Sequence, residues 1–416
     1  MRKISIVTLA AALLLSGCNK ENLEFNDVEN LFIESEGDVR FIKLGGRTDA
    51  AVTTRASVES LDEIGQVGIF CLAARKTDVK NAEEAKAIDW NQIVSTNPEL
   101  YGTTTNGIYW GNVCCDVVNN GGTYAIEPTD AATYYPYYPM TSWFGYDFYG
   151  YHPFSNSYSK STDSVYVDMV IDGTQDVIWG RSDIPNVAEL TSSIELQDKL
   201  SKCYYSARYF RNHPQDVEAA HMKFEHKLAR FRFFVYPGAN KESAEDKLYD
   251  EAAALCVKEI RLNKVEDKLR LVVADRSGRN RGGELYSNNR NVTSFYLHHK
   301  DGSKLADRPI DVPVKEDSYG VTYPDTAQVG DCIMALPGHT AYYMSVVLAD
   351  TADHSKTYSS EKNITISLNA AKTKKFEAGK TYNVYLRVAG VTMIGVTAEL
   401  EDWDPNGEDL EFIEFN

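Results

Sequence analysis

The sequence predicts an all-β fold, built as two antiparallel β-sandwich domains in tandem. Short runs of strand-forming residues recur along the chain, and Gly, Asn, Asp and Pro separate them. The connections are too short for crossover helices, which favours antiparallel pairing. Helix candidates are few: 81–88 and 242–254 are short, and the polar stretch 181–220 is partly compatible with a helix. A length of 416 residues fits roughly two domains of ordinary size.

The N-terminus has the pattern of an exported protein. Basic Arg2 and Lys3 precede an apolar run from Ile4 to Leu15, and Ser16-Gly17-Cys18 follows. The run is shorter than the roughly 20 residues that span a bilayer. Leu15-Ser16-Gly17-Cys18 resembles the lipobox of bacterial lipoproteins. We therefore predict a signal peptide over 1–17 and acylation of Cys18, which anchors the precursor to a membrane.

The charge and the cysteine pattern argue against nucleic-acid binding and against a zinc site. A formal charge of −17, without a cluster of Lys and Arg, disfavours nucleic acid. Beyond Cys18 the cysteines are Cys71, Cys114, Cys115, Cys203, Cys256 and Cys332. None forms a C-x-x-C pair, so no zinc site is expected. Export permits disulfides, but the apolar surroundings of most of these cysteines favour buried free thiols.

The first half of the chain begins with a polar segment and continues with strands. Residues 19–55 contain one strand-like run, Arg40 to Leu44, and a run apolar on both faces follows around Val67 to Leu72. Two prolines make 134–139 a loop or an edge. Further strands are predicted at Gly107 to Trp110, Tyr146 to His152, Val165 to Ile171 and Val177 to Trp179.

The second half follows a polar junction at 181–220. In Met222 to Tyr236 the apolar parity flips at Leu228-Ala229, so we predict a bulge or bend where one strand leaves a sheet and joins another. Later strands are predicted at Val257 to Leu262, Leu269 to Val273, Thr293 to Leu297, Ile333 to Leu336, Tyr342 to Leu348, Ile364 to Leu368, Tyr382 to Val388 and Ile394 to Leu400.

The sequence offers no catalytic or metal-binding motif. There is no G-x-S-x-G elbow, H-E-x-x-H or phosphate-binding glycine loop. His226, on an apolar strand face, is expected to be a hydrogen-bonded core residue rather than a ligand or base. His298-His299 lies in a predicted turn and makes a poor metal site. We expect a protein that is not an enzyme and has no metal or cofactor.

Several motifs, taken together, resemble the fimbrillin-like proteins of Bacteroidetes, the subunits of type V pili (fimbrillin/Mfa-like family). They span the chain in the family's order. They are the lipobox at Cys18, Thr54-Arg55-Ala56, Tyr149 to Phe154, Phe224 to Ala229, and Ala378 to Tyr382 with Trp403 downstream. The resemblance implies two transthyretin-like β-sandwiches, here 56–218 and 219–416.

The resemblance also implies a maturation pathway. An arginine-specific protease would remove the pro-segment 18–55 by cleaving between Arg55 and Ala56, with Arg40 and Arg47 as alternative sites. Removal would open a groove that a strand from another pilin subunit fills. The protein would then pass from an outer-membrane lipoprotein precursor to the cell surface as part of a fimbrium. Only one strand-like run lies between Cys18 and Arg55, so its role as groove filler stays open.

The C-terminal tail, 405–416, is too apolar to remain in water. It carries Leu410, Phe412, Ile413 and Phe415. The tail could be the last strand of its own domain or the donor strand for a neighbour, and the sequence supports both equally. An extended segment of about 12 residues reaches roughly 40 Å, enough to cross into another subunit.

A second function remains open. A surface glycan-binding lipoprotein would share the signal peptide, the β-sandwiches and an aromatic surface such as the tyrosine-rich stretch 134–139. Cleavage after Arg55 separates the two hypotheses, because an anchored glycan binder has no need to leave its lipid. A host or bacterial glycan or protein as the adhesion target, and a stalk, tip or anchor position, are left open by the sequence.

Overall fold

The computed structural model describes most of the chain after residue 43. Every structural statement below concerns this part of the chain. The described residues are 44–48, 64–76, 111–119, 124–130, 144–161, 164–182, 194, 220–238, 249–275, 282–288, 292–316, 318, 322–359, 363–369, 371–391 and 393–401.

The described residues form strands almost throughout. Those of the first half are β1 (Leu44–Thr48), β2 (Gln66–Lys76), β3 (Val113–Asn119), β4 (Tyr124–Pro128), β5 (Phe144–His152), β6 (Tyr158–Lys160), β7 (Ser164–Val170), β8 (Ile178–Ser182) and β9 (Ala220–His226). Next come β10 (Ala229–Pro237), the helix α1 (Asp250–Ala253), β11 (Leu255–Val265), β12 (Lys268–Asp275), β13 (Leu285–Ser287) and β14 (Thr293–Tyr296). The chain continues with a 3-10 helix (Leu305–Asp307), β15 (Ile310–Asp311), β16 (Val314–Glu316), β17 (Thr322–Pro324), β18 (Ala327–Ala335), β19 (Tyr342–Asp350), β20 (Thr357–Ser359), β21 (Ile364–Ile366), β22 (Thr381–Gly390) and β23 (Met393–Glu401).

The strands pair into several sheets, and the all-β prediction is confirmed. A closed barrel has the order β1-β4-β3-β2-β5-β8-β9. The other larger sheets are β18-β10-β22-β23, β14-β11-β19-β20 with β15 and β21 attached, and β13-β12-β7-β6. Within these described strands pairing is antiparallel except for β1 with β9 and β10 with β22. The transthyretin-like detail stays a prediction.

The predicted switch between sheets at Leu228 is confirmed. β9 pairs with β8 in the barrel, whereas β10 pairs with β18 and β22 in a different sheet. Between them, the Lys227 amide donates to Val177 O at 2.7 Å and Leu228 O accepts from the Gly379 amide at 2.9 Å. The two backbone bonds hold the chain where its apolar parity changes.

Strands from the two halves of the sequence also pair directly. In the sheet β13-β12-β7-β6, β7 pairs with β12 from Ser164 opposite Asp275 to Val170 opposite Lys268. The buried side chains of all the larger sheets form one continuous apolar cluster. The division into 56–218 and 219–416 stays a prediction, and β9 lies on the barrel side of the switch at Leu228.

A glycine in β2 lies directly against an aromatic ring of the neighbouring strand. A Cβ built on Gly68 in β2 would lie 2.3 Å from the ring of Tyr151 in β5. Tyr151 is fully buried. Its hydroxyl oxygen lies 2.5 Å from Asn112 Oδ1 and 3.0 Å from Ser155 O, the two acceptors available to its one proton. Gly68 is therefore needed because a tyrosine ring occupies the space of its side chain.

Several sequence predictions fall on other parts of the chain. The strand at 107–110, the helix at 81–88 and the loop at 134–139 lie outside the described residues. Of the helix predicted at 242–254, the described part contains α1, its last turn. Among the described residues, no helix is long and apolar enough to cross a membrane.

Candidate strand-exchange site

The barrel is closed by its first strand. β1 lies between β4 and β9, antiparallel to β4 over three residue pairs and parallel to β9 over five. β4 has β3 as its other neighbour, and β9 has β8. Without β1, the backbone N–H and C=O groups on one edge of β4 and one edge of β9 would lose their partners, and such edges are templates for strand addition.

The side chains around β1 are apolar and buried. Leu44 is 3% exposed and lies opposite Ile126 of β4 and Ala220 of β9. Further along β9, Met222 and Phe224 belong to the same buried cluster. Loss of β1 would therefore expose both a sheet edge and part of the apolar core, the two features that a donor strand needs.

β1 itself contributes little packing. After Leu44 the strand continues as Gly45 and Gly46, which have no side chains. Gly46 lies opposite Tyr124 and Met222. Leu44, Gly46 and Thr48 share one face of the strand. An apolar side chain contributes about 1.5–3 kcal/mol when fully buried, and Gly46 contributes none. Leu44 is the one large apolar residue in the strand.

The predicted processing residues lie outside the described residues. These are the lipidation site Cys18 and the cleavage residues Arg55 and Ala56. Their order along the chain is still informative: Arg55 follows β1, so cleavage there would leave β1 on the released fragment. Of the alternative sites, Arg47 lies within β1 and its backbone pairs with Lys223, whereas Arg40 lies outside the described part.

The predicted donor residues also lie outside the described residues. Leu410, Phe412, Ile413 and Phe415 follow β23, whose last residue is Glu401. In the described sheet, β23 is the final strand and pairs with β22. Both alternatives for the tail, donor strand and last strand of its own domain, therefore stay predictions.

His226, at the end of β9, is a core residue as predicted. Its Nδ1 lies 2.6 Å from Asp176 Oδ2, and the side chains are 8% and 0% exposed. Lys227 places its Nζ 4.9 Å from the ring centroid of Trp179, whose indole N–H donates to Val273 O. These contacts fix the end of β9, the strand that pairs with β1.

The remaining titratable clusters show no catalytic arrangement. Among the described residues, no group of three or more His, Cys, Asp or Glu could hold a metal ion. His299 Nε2 lies 2.9 Å from Arg308 O. The described cysteines, Cys71, Cys114, Cys115, Cys256 and Cys332, are free, as predicted, and Cys203 lies outside this part. Burial raises the pKa of Cys71 and of Cys115, which keeps both thiols protonated and unreactive.

Sequence reasoning found part of this site and missed the rest. A strand was expected at 40–44, and the described strand is 44–48. β4 was not predicted. Its sequence does carry a strand pattern, because Tyr124, Ile126 and Pro128 occupy alternate positions and so share one face. The pairing of β1 with β9, distant in sequence, has no signal in either strand alone.

Comparison with solved structures finds several similar proteins. One from Bacteroides uniformis, assigned to cell adhesion, has a TM-score of 0.45 and 12% identity, over 89% of this chain and 100% of that one. A fimbrial protein from Bacteroides vulgatus has a TM-score of 0.40 and 14% identity, over 88% and 99%. The fimbrilin FimA from Porphyromonas gingivalis has a TM-score of 0.36 and 10% identity, over 89% and 99%.

These neighbours are fimbrial and adhesion proteins, the group that the sequence motifs resemble. No protein-family model matches the chain, and no curated protein matches it significantly. The identities and TM-scores are too low to carry an argument about what this chain does.

Proposed function

We propose that this protein is a structural or adhesive subunit of a type V pilus and is not an enzyme. It is exported to the outer membrane as a lipoprotein acylated at Cys18, cleaved between Arg55 and Ala56, and assembled at the cell surface by strand exchange. One observation carries the proposal: the strand that closes the barrel precedes the predicted cleavage site.

The physical argument has two steps. Cleavage alone does not open the barrel, because β1 stays paired with β4 and β9 until it dissociates. Dissociation is favoured by the weak packing of a strand that contains Gly45 and Gly46. A donor strand that adds apolar side chains then binds more tightly than β1 did, and the exchange runs towards assembly.

The test uses the chain from residue 18 onward with Cys18→Ala, so that no lipid is attached. An Arg-specific protease should yield a product that starts at Ala56 and then forms high-mass polymers, seen by light scattering and electron microscopy. The matched control is Arg55→Lys, which keeps the charge and removes the protease site. Arg47→Lys and Arg40→Lys should have no effect.

Two results would contradict the proposal. One is a cleaved product that loses β1 and stays monomeric at high concentration. The other is equal polymerisation of the uncleaved Arg55→Lys chain, since the slot would then not control assembly. The N-terminal sequence of the product decides between Arg55 and the alternative arginines.

A further inference from the structure

A cleft lies where the loop after β5 meets β7 and β12, outside the strand-exchange site. Its volume is about 400 Å³. Small-ligand sites are concave and usually occupy about 300–1,000 Å³. Its lining includes Phe154 from the loop, Asp168 and Met169 from β7, Lys268 and Leu269 from β12, and Asn288 after β13.

The apolar part of the cleft is firmly supported. Leu269 is buried, and so is Met169. Phe154 is half-buried and packs against the same apolar cluster. The ring therefore combines a fixed position with surface left open to the cleft. An aromatic face carries partial negative charge and attracts the C–H groups of a ligand that stacks on it.

The polar part is built around one carboxylate. Asp168 accepts hydrogen bonds from Arg270 on both oxygens, Nε to Oδ1 and Nη2 to Oδ2, each at 2.7 Å. The side chain of Asn288 also hydrogen-bonds Asp168. The hydrogen bonds from Arg270 are the main reason why the pKa of Asp168 lies below its ordinary value. The carboxylate is therefore ionised at neutral pH.

This carboxylate is positioned and still has capacity to bind. The guanidinium of Arg270 lies 5.5 Å from the ring centroid of Tyr166, which fixes the arginine in turn. An ionised carboxylate has about four acceptor sites, so Asp168 can accept further bonds from ligand hydroxyl groups. Such charge-assisted bonds are stronger than neutral ones.

A ligand for this cleft needs one apolar face and several hydroxyl groups. A purely apolar peptide side chain would leave Asp168 and Lys268 unused, and a small inorganic anion would leave the ring of Phe154 unused. We propose that the cleft binds a neutral saccharide residue, stacked on Phe154 and hydrogen-bonded to Asp168, Asn288 and Lys268. The site would give the protein a glycan target, and it does not depend on pilus assembly.

Saturation-transfer NMR on the chain from residue 18 onward, with Cys18→Ala, tests the site. The probes are D-galactose, D-mannose, L-fucose and N-acetyl-D-glucosamine at millimolar concentration. At least one sugar should bind. Asp168→Asn should lower the affinity for that sugar about tenfold, the loss expected for one charge-assisted hydrogen bond.

Two variants of Phe154 separate stacking from packing. Phe154→Leu keeps an apolar side chain but removes the aromatic face, so it should abolish binding, whereas Phe154→Trp should retain it. Asp301→Asn is the matched control, because Asp301 pairs with Arg308 at an exposed position outside the cleft. Absence of transfer to all four sugars would overturn the proposal. So would full binding by Phe154→Leu, the result expected if the cleft holds an apolar protein side chain.

Discussion

Replacing Leu44 by alanine should loosen β1 without unfolding the rest of the protein. Leu44 is 3% exposed, and the two residues after it are glycines. Leu→Ala at buried sites costs about 2–5 kcal/mol, and a short strand whose surroundings can collapse belongs near the lower end. A loss of about 2 kcal/mol raises the detached fraction of β1 roughly 30-fold, at 1.4 kcal/mol per factor of ten.

Hydrogen exchange on the uncleaved chain measures this fraction. Local opening exposes the amides of the opened segment and of its partners. We expect exchange about 30-fold faster in peptides from β1 and at the facing edges of β4 and β9, as follows from the energy above. Peptides from β11 and β19, in another sheet, should keep the wild-type rate.

A matched leucine provides the control. Leu305 is 2% exposed and lies in the 3-10 helix that contacts β11. Leu305→Ala should speed exchange around β11 and leave β4 and β9 protected. The reasoning about β1 is refuted if Leu44→Ala speeds exchange equally throughout the chain, or if β4 and β9 keep their protection.

Three further predictions concern stability and anchoring. Gly68→Ala should destabilise by about 1–3 kcal/mol, because its Cβ would collide with Tyr151; a thermal melt within error of wild type would contradict this. The hydrogen bond to Glu266 raises the pKa of His339, so its stabilising contribution is present below pH ~6.5 and lost as pH rises through the higher folded value. Melts between pH 5 and 8 should show this fall in the wild type but not in His339→Gln. Cys18→Ala should abolish fatty-acid labelling, and label that persists in the mutant would disprove lipidation there.

The sequence predicts strands well where apolar and polar residues alternate along the chain, because alternate residues lie on one face of a strand. The expected strands 382–388 and 394–400 correspond to Thr381–Gly390 and Met393–Glu401. The switch at Leu228 was found from parity alone, because a period of two cannot change phase without a bend. Local patterns therefore recover elements and irregularities within them.

Pairing between distant strands could not be predicted in this way. β1 reaches β9 across most of the first half of the chain, and Leu-Gly-Gly-Arg-Thr has almost no strand signal of its own. Its position is fixed by the edges that it fills. The cleft beside Asp168 could not be predicted either, because it also depends on distant strands. Arg270 meets Asp168 through the register of β12 on β7.

The weakness of β1 as a strand is itself informative. A permanent barrel strand would be expected to fill its inward positions, because buried apolar area is the main source of stability. β1 fills one with Leu44 and leaves the next as Gly46. A removable strand needs the opposite: enough pairing to protect the edges before processing, and too little packing to remain afterwards.

The tail at 405–416 provides the sharpest remaining test of this scheme. If it is the donor, its deletion should abolish polymerisation of Arg55-processed protein and leave the melting transition nearly unchanged. If it is the last strand of its own domain, the monomer should lose stability instead. Two double variants, Leu410→Asp with Phe412→Asp and Ile413→Asp with Phe415→Asp, then identify the inserted face, because alternate residues of a strand share one face. The face that enters the slot left by β1 should tolerate no charge, while the other should still assemble; a tail in which neither pair affects assembly is not the donor.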